Sequence, residues 1–344
     1  MFYIRWGFKM SKILFIGDPH LRINDFQQSV ALLRWIEDVA IEHKPDVVCN
    51  LGDTFHNHAV LRSEIMKEFS DHIDTITKNS AYWYVLGNHD QYKPKDNKYH
   101  ALQAFKDRED FHIFDEPRVD LDGLGITVVP YVQDFADFPL DTNKICITHN
   151  TFIGADYGFR REDCGIDADK VSADIIISGH IHKRQSFGKV TYPGTPAAHN
   201  ASEVDEVKAI LLFDTDTHEQ IWIESPFPMW KSIELEVSSE MTIDKIHDSL
   251  VSKLDKKNKW IVKLTGPKSE LVNYLKSKKY NNLVLDKHVI VKSNLIDSEK
   301  QSRVKIEASS PSKIVSEYVD KVYAGSLDKQ LIIRKAQEII NNLS

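Results

Sequence analysis

The sequence predicts an α/β protein built as a two-sheet β-sandwich flanked by helices, with a small α+β unit and C-terminal helices behind it. Three observations carry this. Five apolar, β-rich runs (Ile13-Leu14-Phe15-Ile16, Val47-Val48-Cys49, Tyr82-Trp83-Tyr84-Val85-Leu86, Ile145-Cys146-Ile147 and Ile175-Ile176-Ile177) each stop just before residues able to ligate metals. Between the first three runs, apolar positions recur at helical spacing. From Val119 onward the strand-like segments shorten and turn residues divide them.

After the first strand, Phe26, Val30, Leu33, Ile36 and Val39 trace one face of a helix that Pro45 must end. After the second strand, Val60 to Ile76 repeats the pattern, giving a βαβα opening with a mostly parallel sheet. Asp122-Gly123 separates two short strands, and Phe187 to Tyr192, Ala209 to Phe213 and Gln220 to Ile223 continue the series as a second sheet facing the first. Ser225-Pro226-Phe227-Pro228 marks a boundary. Beyond it come strand Ser232 to Val237, helix Ile243 to Leu254, strand Trp260 to Leu264, helix Ser269 to Lys276 and strand Val289 to Lys292. Ser309-Ser310-Pro311-Ser312 opens a helical end, Ile314 to Val322 and Lys329 to Leu343, broken at Ala324-Gly325-Ser326. The expected division is therefore an N-terminal extension (1–11), a main domain (12–228), an α+β domain (229–308) and a helical segment (309–344).

At 344 residues the chain exceeds what one hydrophobic core normally supports. No apolar run approaches the roughly 18 residues of a membrane span, and Met1 to Lys9 lacks the apolar stretch of a secretion signal. Three scattered cysteines, Cys49, Cys146 and Cys164, form no C-x-x-C pair and point to a reducing cytoplasm rather than to disulfides or a thiolate zinc site. The net charge of −7 hides an asymmetry. From Trp230 to Ser344 there are 21 Lys and Arg against 15 Asp and Glu, which leaves 23 against 36 in residues 1 to 229. The basic tail, with Lys256-Lys257 and Lys278-Lys279, reads equally as a solvated face or as a phosphate-contacting surface.

The ligating residues fall in the order Asp18-Pro-His20, Gly52-Asp53, Gly87-Asn88-His89-Asp90, His149 and Gly179-His180-Ile181-His182. Any one of these is commonly accidental; all five in order, each after a buried strand, describe a dinuclear metal site. Two divalent cations about 3.5–4 Å apart need a bridging carboxylate, and Asp53 is the natural candidate. Asp18 and His20 alternate so that both can face one metal. His180 and His182 can point to opposite metals, and Asn88 and His149 complete the second. Such an oxygen and nitrogen set suits Mn²⁺, Fe²⁺ or Zn²⁺. A metal pair of this kind holds a phosphate, acidifies a bridging water and stabilises in-line attack on phosphorus. His89 is placed to stabilise phosphate oxygens or protonate the leaving alkoxide, with Asp90 orienting it. His56, His58, His112, His199 and His218 lack this context and are expected to be surface or hydrogen-bonded residues.

The series D-x-H, G-D, G-N-H-D, H and G-H-x-H, over residues 12 to about 223, resembles the calcineurin-like metallophosphoesterase superfamily. Within it, Gly52-Asp53-Thr54-Phe55-His56, Gly87-Asn88-His89-Asp90 and Tyr192-Pro193-Gly194-Thr195-Pro196 resemble the SbcD-type, meiotic recombination 11-like nuclease subunits of DNA repair and recombination complexes, the phage members in particular. Thr195 stands where relatives commonly have Ser. The resemblance implies the metallophosphoesterase fold, with Asp18, His20, Asp53 and His182 on one metal, Asp53, Asn88, His149 and His180 on the other, and His89 as the catalytic histidine. It also implies two divalent ions, Mn²⁺ first with Mg²⁺, Fe²⁺ or Zn²⁺ as alternatives, and a 3′-to-5′ duplex exonuclease with single-strand endonuclease activity. A capping domain on DNA, an SbcC-like ABC ATPase partner gripped by the C-terminal helices, a homodimer within a heterotetramer and a host-cytoplasmic location complete the expectation.

Three other readings use the same ligands. A phosphoprotein phosphatase would carry Asp-Arg-Gly after its second motif, where Thr54-Phe55-His56 stands here. A small-molecule phosphodiesterase would have no need of a basic appendage of some 110 residues. A DNA-end-binding scaffold that has lost chemistry would not keep every ligand.

Overall fold

The computed structural model describes residues 10–57, 61–93, 96–158, 160–285, 289–296, 319 and 329–335. The chain divides into two compact units, one of Met1–Glu234, Val251–Lys263 and Leu283–Lys292, the other of Leu235–Leu250, Leu264–Asn282 and Ser293–Ser344.

In the first unit, β1 (Lys12–Ile16), α1 (Phe26–His43), β2 (Val47–Asn50), α2 (Ser63–Ile76) and β3 (Ala81–Val85) form the expected opening. A hairpin of β4 (Gln91–Lys93) and β5 (Asp96–His100) follows, then β6 (Phe111–Phe114), β7 (Ile126–Val129), β8 (Ile145–Thr148) and β9 (Ile175–Ser178). The unit continues with β10 (Gln185–Phe187), β11 (Val190–Tyr192), β12 (Ala209–Asp214) and β13 (Gln220–Glu224). One sheet has the order β13-β12-β1-β2-β3-β6 and the other β10-β11-β9-β8-β7. The runs β1-β2-β3-β6 and β7-β8-β9-β11 are parallel.

Strand alternation explains why these runs are apolar throughout. Ile13 and Phe15 face the sandwich interior with Cys49, Trp83, Ile126, Ile145 and Ile177, whereas Leu14 and Ile16 face Leu32, Leu33 and Ile36 of α1 and Phe69 and Ile73 of α2. The outer face of the second sheet is covered by loop residues such as Phe138, Phe152, Ile166 and Val171. Met10 and Ser11 belong to this fold: Met10 is buried, and Ser11 N–H donates to Asp46 Oδ2 at 2.8 Å. The remaining expected extension, residues 1–9, and His58 lie outside the described residues.

Several expected elements are placed differently. Ala209–Asp214 and Gln220–Glu224 join the first sheet, with β12 antiparallel to β1 at Leu14↔Leu212. Both faces of β12 are apolar, and pairing there covers an edge that β1 would otherwise expose. Phe187 to Tyr192 is not one strand but a hairpin with Phe187 opposite Val190, because Gly188 takes a left-handed φ of +53°. Residues Leu121–Gly123 form a 3₁₀ turn, preceded only by an isolated Arg118↔Val128 bridge.

After residue 229, β14 (Trp230–Glu236), α3 (Ile243–Val251), β15 (Lys259–Pro267), α4 (Lys268–Leu275), α5 (Lys278–Leu285) and β16 (Val289–Ile296) follow, with the strands ordered β14-β15-β16. In the second unit Ile246, Leu250, Leu264, Leu271 and Tyr274 are fully buried. Of the helical end expected over 309–344, Val319 and residues 329–335 are helical and the rest lies outside the described residues. Among the described residues, no helix is long and apolar enough to cross a membrane.

Phe69 in α2 has no exposed surface and its ring meets Phe55 at 5.4 Å, Phe105 at 5.6 Å, and Tyr82 and Tyr84 at 6.3 Å. Phe69→Ala is expected to destabilise the protein by about 3–5 kcal/mol in denaturant unfolding; a loss below about 1 kcal/mol would show that this cluster is not a keystone.

Between α1 and α2, the buried His72 Nδ1 lies 2.9 Å from Glu37 Oε1, and Arg34 holds the other Glu37 oxygen at 2.9 Å. Burial keeps the His72 pKa below its ordinary 6.5 against the pull of Glu37. Burial opposes ionisation of Glu37, but the His72 and Arg34 bonds outweigh it and keep its pKa below 4.5. The unfolded chain therefore binds protons more readily at both groups, so their contribution is present at neutral pH and is lost on acidification, starting near pH 6.5. The unfolding free energy should fall between pH 7 and pH 5, and less steeply in His72→Gln; identical slopes would remove His72 from the account.

Candidate metal centre

Parallel pairing places the C-terminal ends of β1, β2 and β3 side by side in one sheet, and those of β8 and β9 side by side in the other. Asp18 and His20 leave β1, Asp53 follows β2, Asn88, His89 and Asp90 follow β3, His149 follows β8, and His180 and His182 follow β9. All nine residues singled out in the sequence thus sit on loops at strand ends, where open α/β sheets build sites.

These loops are locked to one another. His20 N–H donates to Asp53 O at 3.0 Å and Leu21 N–H to Thr54 O at 2.7 Å. The His180 N–H reaches Asp18 Oδ1 at 3.1 Å, and the His89 N–H reaches Asp53 Oδ1 at 2.7 Å. Such close approach requires glycine at two points: a Cβ on Gly87 would lie 2.2 Å from Asp53 Oδ1, and one on Gly179 would lie 2.6 Å from Leu51 O. His20, Asp53 and His180 all adopt positive φ, at +44°, +53° and +79°. Each such conformation costs on the order of 1–3 kcal/mol, the kind of strain that functional sites retain.

The ligand atoms gather into overlapping groups. Asp18, His20 and His182 present theirs within 4.8 Å of one another, as do Asp53, His149 and His180, and His20, Asp53 and His89. Within the first group His20 Nε2 is 3.1 Å from His182 Nε2, and Asp18 Oδ2 is 3.9 Å from the latter. In the second, His149 Nε2 lies 3.3 Å from Asp53 Oδ2, and Asn88 Oδ1 lies 3.1 Å from His149 Nε2 and 2.8 Å from His180 Nδ1. Asp53 belongs to two groups at once.

Electrostatics favour cation binding. Burial holds the pKa of His20 well below its ordinary value and, with His149 nearby, that of His180 down at about 3, so both rings are neutral donors. Burial opposes protonation of His149, but Asp53 and Asp18 beside it push its pKa up to about 10, so the two carboxylates call for a positive charge that a cation would supply on displacing that proton. Burial likewise opposes ionisation of Asp53, yet His149 keeps its carboxyl well below the usual range. Asp18 Oδ2, on the same side as His20 Nε2 and His182 Nε2, is buried without a hydrogen-bond partner. A buried, unsatisfied carboxylate oxygen beside neutral imidazoles fits a divalent cation.

Asp90 does not orient His89. Its Oδ2 accepts from Asp53 N and Gly87 N, both at 2.9 Å, and its Oδ1 accepts from the Tyr84 hydroxyl at 2.8 Å. Burial, then the nearby Asp53 charge, pushes its pKa up to about 7. Asp90 thus braces the β2 and β3 loops. The His89 ring is instead anchored through Nδ1, 3.1 Å from the carbonyl of His56.

Two dismissed histidines join the site: His56 stacks on His89 with ring centroids 6.1 Å apart, and His199 meets His20 edge-on at 5.2 Å. His218 stacks on Phe213 in the β12–β13 turn, and His112 lies in β6. Also unanticipated are Tyr131, stacked on His180 at 5.8 Å, and Glu203, whose Oε1 lies 3.4 Å from His182 Nδ1. His56 was legible in principle as the last residue of Gly52-Asp53-Thr54-Phe55-His56, and His199 as a close follower of Pro193-Gly194-Thr195-Pro196. A cavity of about 240 Å³ opens on the cluster, lined by Asn88, His89 and His180 together with Tyr157, Lys183 and Asn200.

A two-sheet sandwich carrying His, Asp and Asn donors on its strand-end loops defines a metal-dependent phosphoesterase. The calcineurin-like phosphoesterase family model matches residues 11–184, half of the chain, and the chain belongs to that family, whose members use divalent metals to hydrolyse phosphate esters. It is similar to "Putative phosphoesterase 244L" of Invertebrate iridescent virus 6, 27% identical over 269 residues that cover 74% of this chain and 92% of the viral protein. It is also similar to "Putative phosphoesterase 078R" of Invertebrate iridescent virus 3, 25% identical over 54% of this chain and 58% of that protein. A third relative is "Exonuclease subunit 1" of Enterobacteria phage T4, 21% identical over 60% of this chain and 65% of its own.

Since Asp53 takes part in two ligand groups, Asp53→Ala is expected to weaken Mn²⁺ binding by more than the roughly 10–100-fold typical of losing a ligand's supporting partner. Mn²⁺ titration followed by electron paramagnetic resonance reads this directly; wild-type affinity in the variant would remove Asp53 from the ligand set.

Proposed function

We propose that the chain is the nuclease subunit of an SbcCD-type recombination and repair complex, a dinuclear-metal phosphodiesterase that degrades duplex DNA 3′ to 5′ and cuts single strands. The observation that carries this reading is the similarity to the phage T4 exonuclease subunit over 227 residues. The His56 ring beside His89, where a phosphoprotein phosphatase would have a different motif, supports it.

In this reading Asp18, His20, Asp53 and His182 hold one ion and Asp53, Asn88, His149 and His180 the other, with Mn²⁺ expected ahead of Mg²⁺, Fe²⁺ or Zn²⁺. When bound, the ions supply Lewis acidity to the phosphate ester and lower the pKa of water. The chain's own groups do the positioning. Asp90 and Tyr84 hold the Asp53 and Gly87 backbone in register. His89 keeps its Nδ1 proton on the His56 carbonyl, so transfer of a proton to the leaving alkoxide falls to Nε2. The excess of Lys and Arg after Trp230 suits contact with a DNA backbone. An SbcC-like ABC ATPase bound by the C-terminal helices, a homodimer within that complex and a host-cytoplasmic location belong to the same proposal.

The second reading, a phosphodiesterase acting on a small molecule, is favoured by the iridescent virus relatives, whose names specify only a phosphoesterase. Incubating the full chain with Mn²⁺, end-labelled duplex DNA and a small chromogenic phosphodiester separates the two. Shortening of DNA from 3′ ends is the expected result; turnover of the small ester with DNA intact would overturn the nuclease reading. His89→Ala should retain both ions while the rate falls by about 10²–10⁴-fold. Loss of bound metal in that variant would make His89 a ligand instead.

A further inference from the structure

The segment that follows β11 wraps the outside of His182. Thr195 N–H donates to the His182 carbonyl at 3.0 Å and the Lys208 ammonium donates to the same oxygen at 3.2 Å. Gly194, at φ +76°, passes so close beneath it that a Cβ would lie 2.6 Å from that oxygen. The backbone of His182 is therefore fixed, but a histidine on a fixed backbone still has two tautomers and a rotatable ring.

The ring is addressed by Glu203. Its Oε1 lies 3.4 Å from His182 Nδ1, and the same oxygen accepts from Asn200 Nδ2 at 3.2 Å. Its Oε2 accepts from His199 N–H at 3.2 Å and pairs with Lys208 Nζ at 2.8 Å. Glu203 and Lys208 are only 4% and 2% exposed, so carboxylate and ammonium neutralise each other inside the fold, with Glu206 completing the Lys208 shell at 2.8 Å. A carboxylate can only accept a hydrogen bond, so the proton on the facing imidazole must sit on Nδ1. In the neutral ring, the form able to ligate a cation, the opposite nitrogen Nε2 then keeps its lone pair, and it is this atom that lies beside His20 Nε2 and Asp18 Oδ2.

We infer that Glu203 is a positioning residue of the metal centre, which holds His182 in the Nδ1–H tautomer and presents Nε2 to the ion shared with Asp18 and His20. The other half of the centre is held differently. His149 Nδ1 faces the Leu51 carbonyl, a neutral acceptor, and not a carboxylate. Glu203 therefore acts on one half of the site. Through His199 N–H the same carboxylate also sets the segment whose ring lies against His20. This inference rests on reading the cluster as a metal centre.

Two measurements on the full chain test it. In metal-free protein, ¹⁵N NMR of the imidazoles should show His182 protonated at Nδ1 in the wild type and in Glu203→Gln, whose amide oxygen can still accept, but shifted toward Nε2–H in Glu203→Ala. In Mn²⁺ titration, Glu203→Ala should weaken one site by roughly 10–100-fold and leave the other unchanged, with partial recovery in Glu203→Gln. Pairing Glu203→Gln with Lys208→Met removes both charges of the buried Glu203–Lys208 pair should Glu203→Ala fail to fold, and that variant should retain the Nδ1–H tautomer. A merely structural Glu203 would lower the melting temperature without moving the tautomer or separating the two sites, and that result would overturn the inference. Wild-type protein that binds no Mn²⁺ would instead overturn the metal reading, while the tautomer signal would still report on the Glu203 contact.

Discussion

The arrangement depends on one buried carboxylate, Asp53, held where two sheets meet. Among the described residues no lysine or arginine pairs with it; its countercharge comes from His149 at 3.3 Å, with His20 and His89 close by. Its backbone is bent into a left-handed turn, its N–H is claimed by Asp90, its carbonyl by His20 and its side chain by the His89 N–H. An ionised group at such a position is tolerated only where positive charge compensates it. The loops after β1, β2 and β3 are accordingly tied to one another at that residue. The loops after β8 and β9 close over it from the second sheet.

This end of the sandwich carries strain and desolvation of its own. Three site residues sit at positive φ, the buried Asp18 Oδ2 lacks a partner, and imidazole nitrogens crowd within 3.1 Å. The remainder of the first unit offsets this. Strands apolar on both faces bury one cluster against the facing sheet and another under α1 and α2. A divalent cation would satisfy that Asp18 oxygen and convert part of its binding free energy into folding free energy.

Much of this was legible in the sequence because it is written locally. A strand that is apolar on both faces followed by Gly-Asp, Gly-Asn-His-Asp or Gly-His-Ile-His announces both a buried strand and its tip, and Lys44-Pro45 announces the end of α1. What escaped depends on pairing across long separations. Nothing in Ala209 to Phe213 reveals that it sits beside β1 and not in the second sheet. The strand at Phe111–Phe114 is too short and the hairpin at Gln91–His100 too polar to stand out by periodicity. Asp90 seemed bound to His89 because they are neighbours in sequence, but its carboxylate turns toward the Gly87 and Asp53 backbone. Glu203 was invisible among Glu203, Asp205 and Glu206, since only the folded chain distinguishes the carboxylate that faces a histidine from those that face solvent or Lys208.

The proposal at the centre of this account is that the two ligand groups hold a pair of ions joined by Asp53. Anomalous diffraction from crystals equilibrated with Mn²⁺, collected on either side of the manganese edge, tests it most directly. The account predicts two anomalous peaks about 3.5–4 Å apart with Asp53 between them, one bounded by Asp18, His20 and His182 and the other by Asn88, His149 and His180. A single peak, or manganese bound elsewhere with these residues bare, would contradict it.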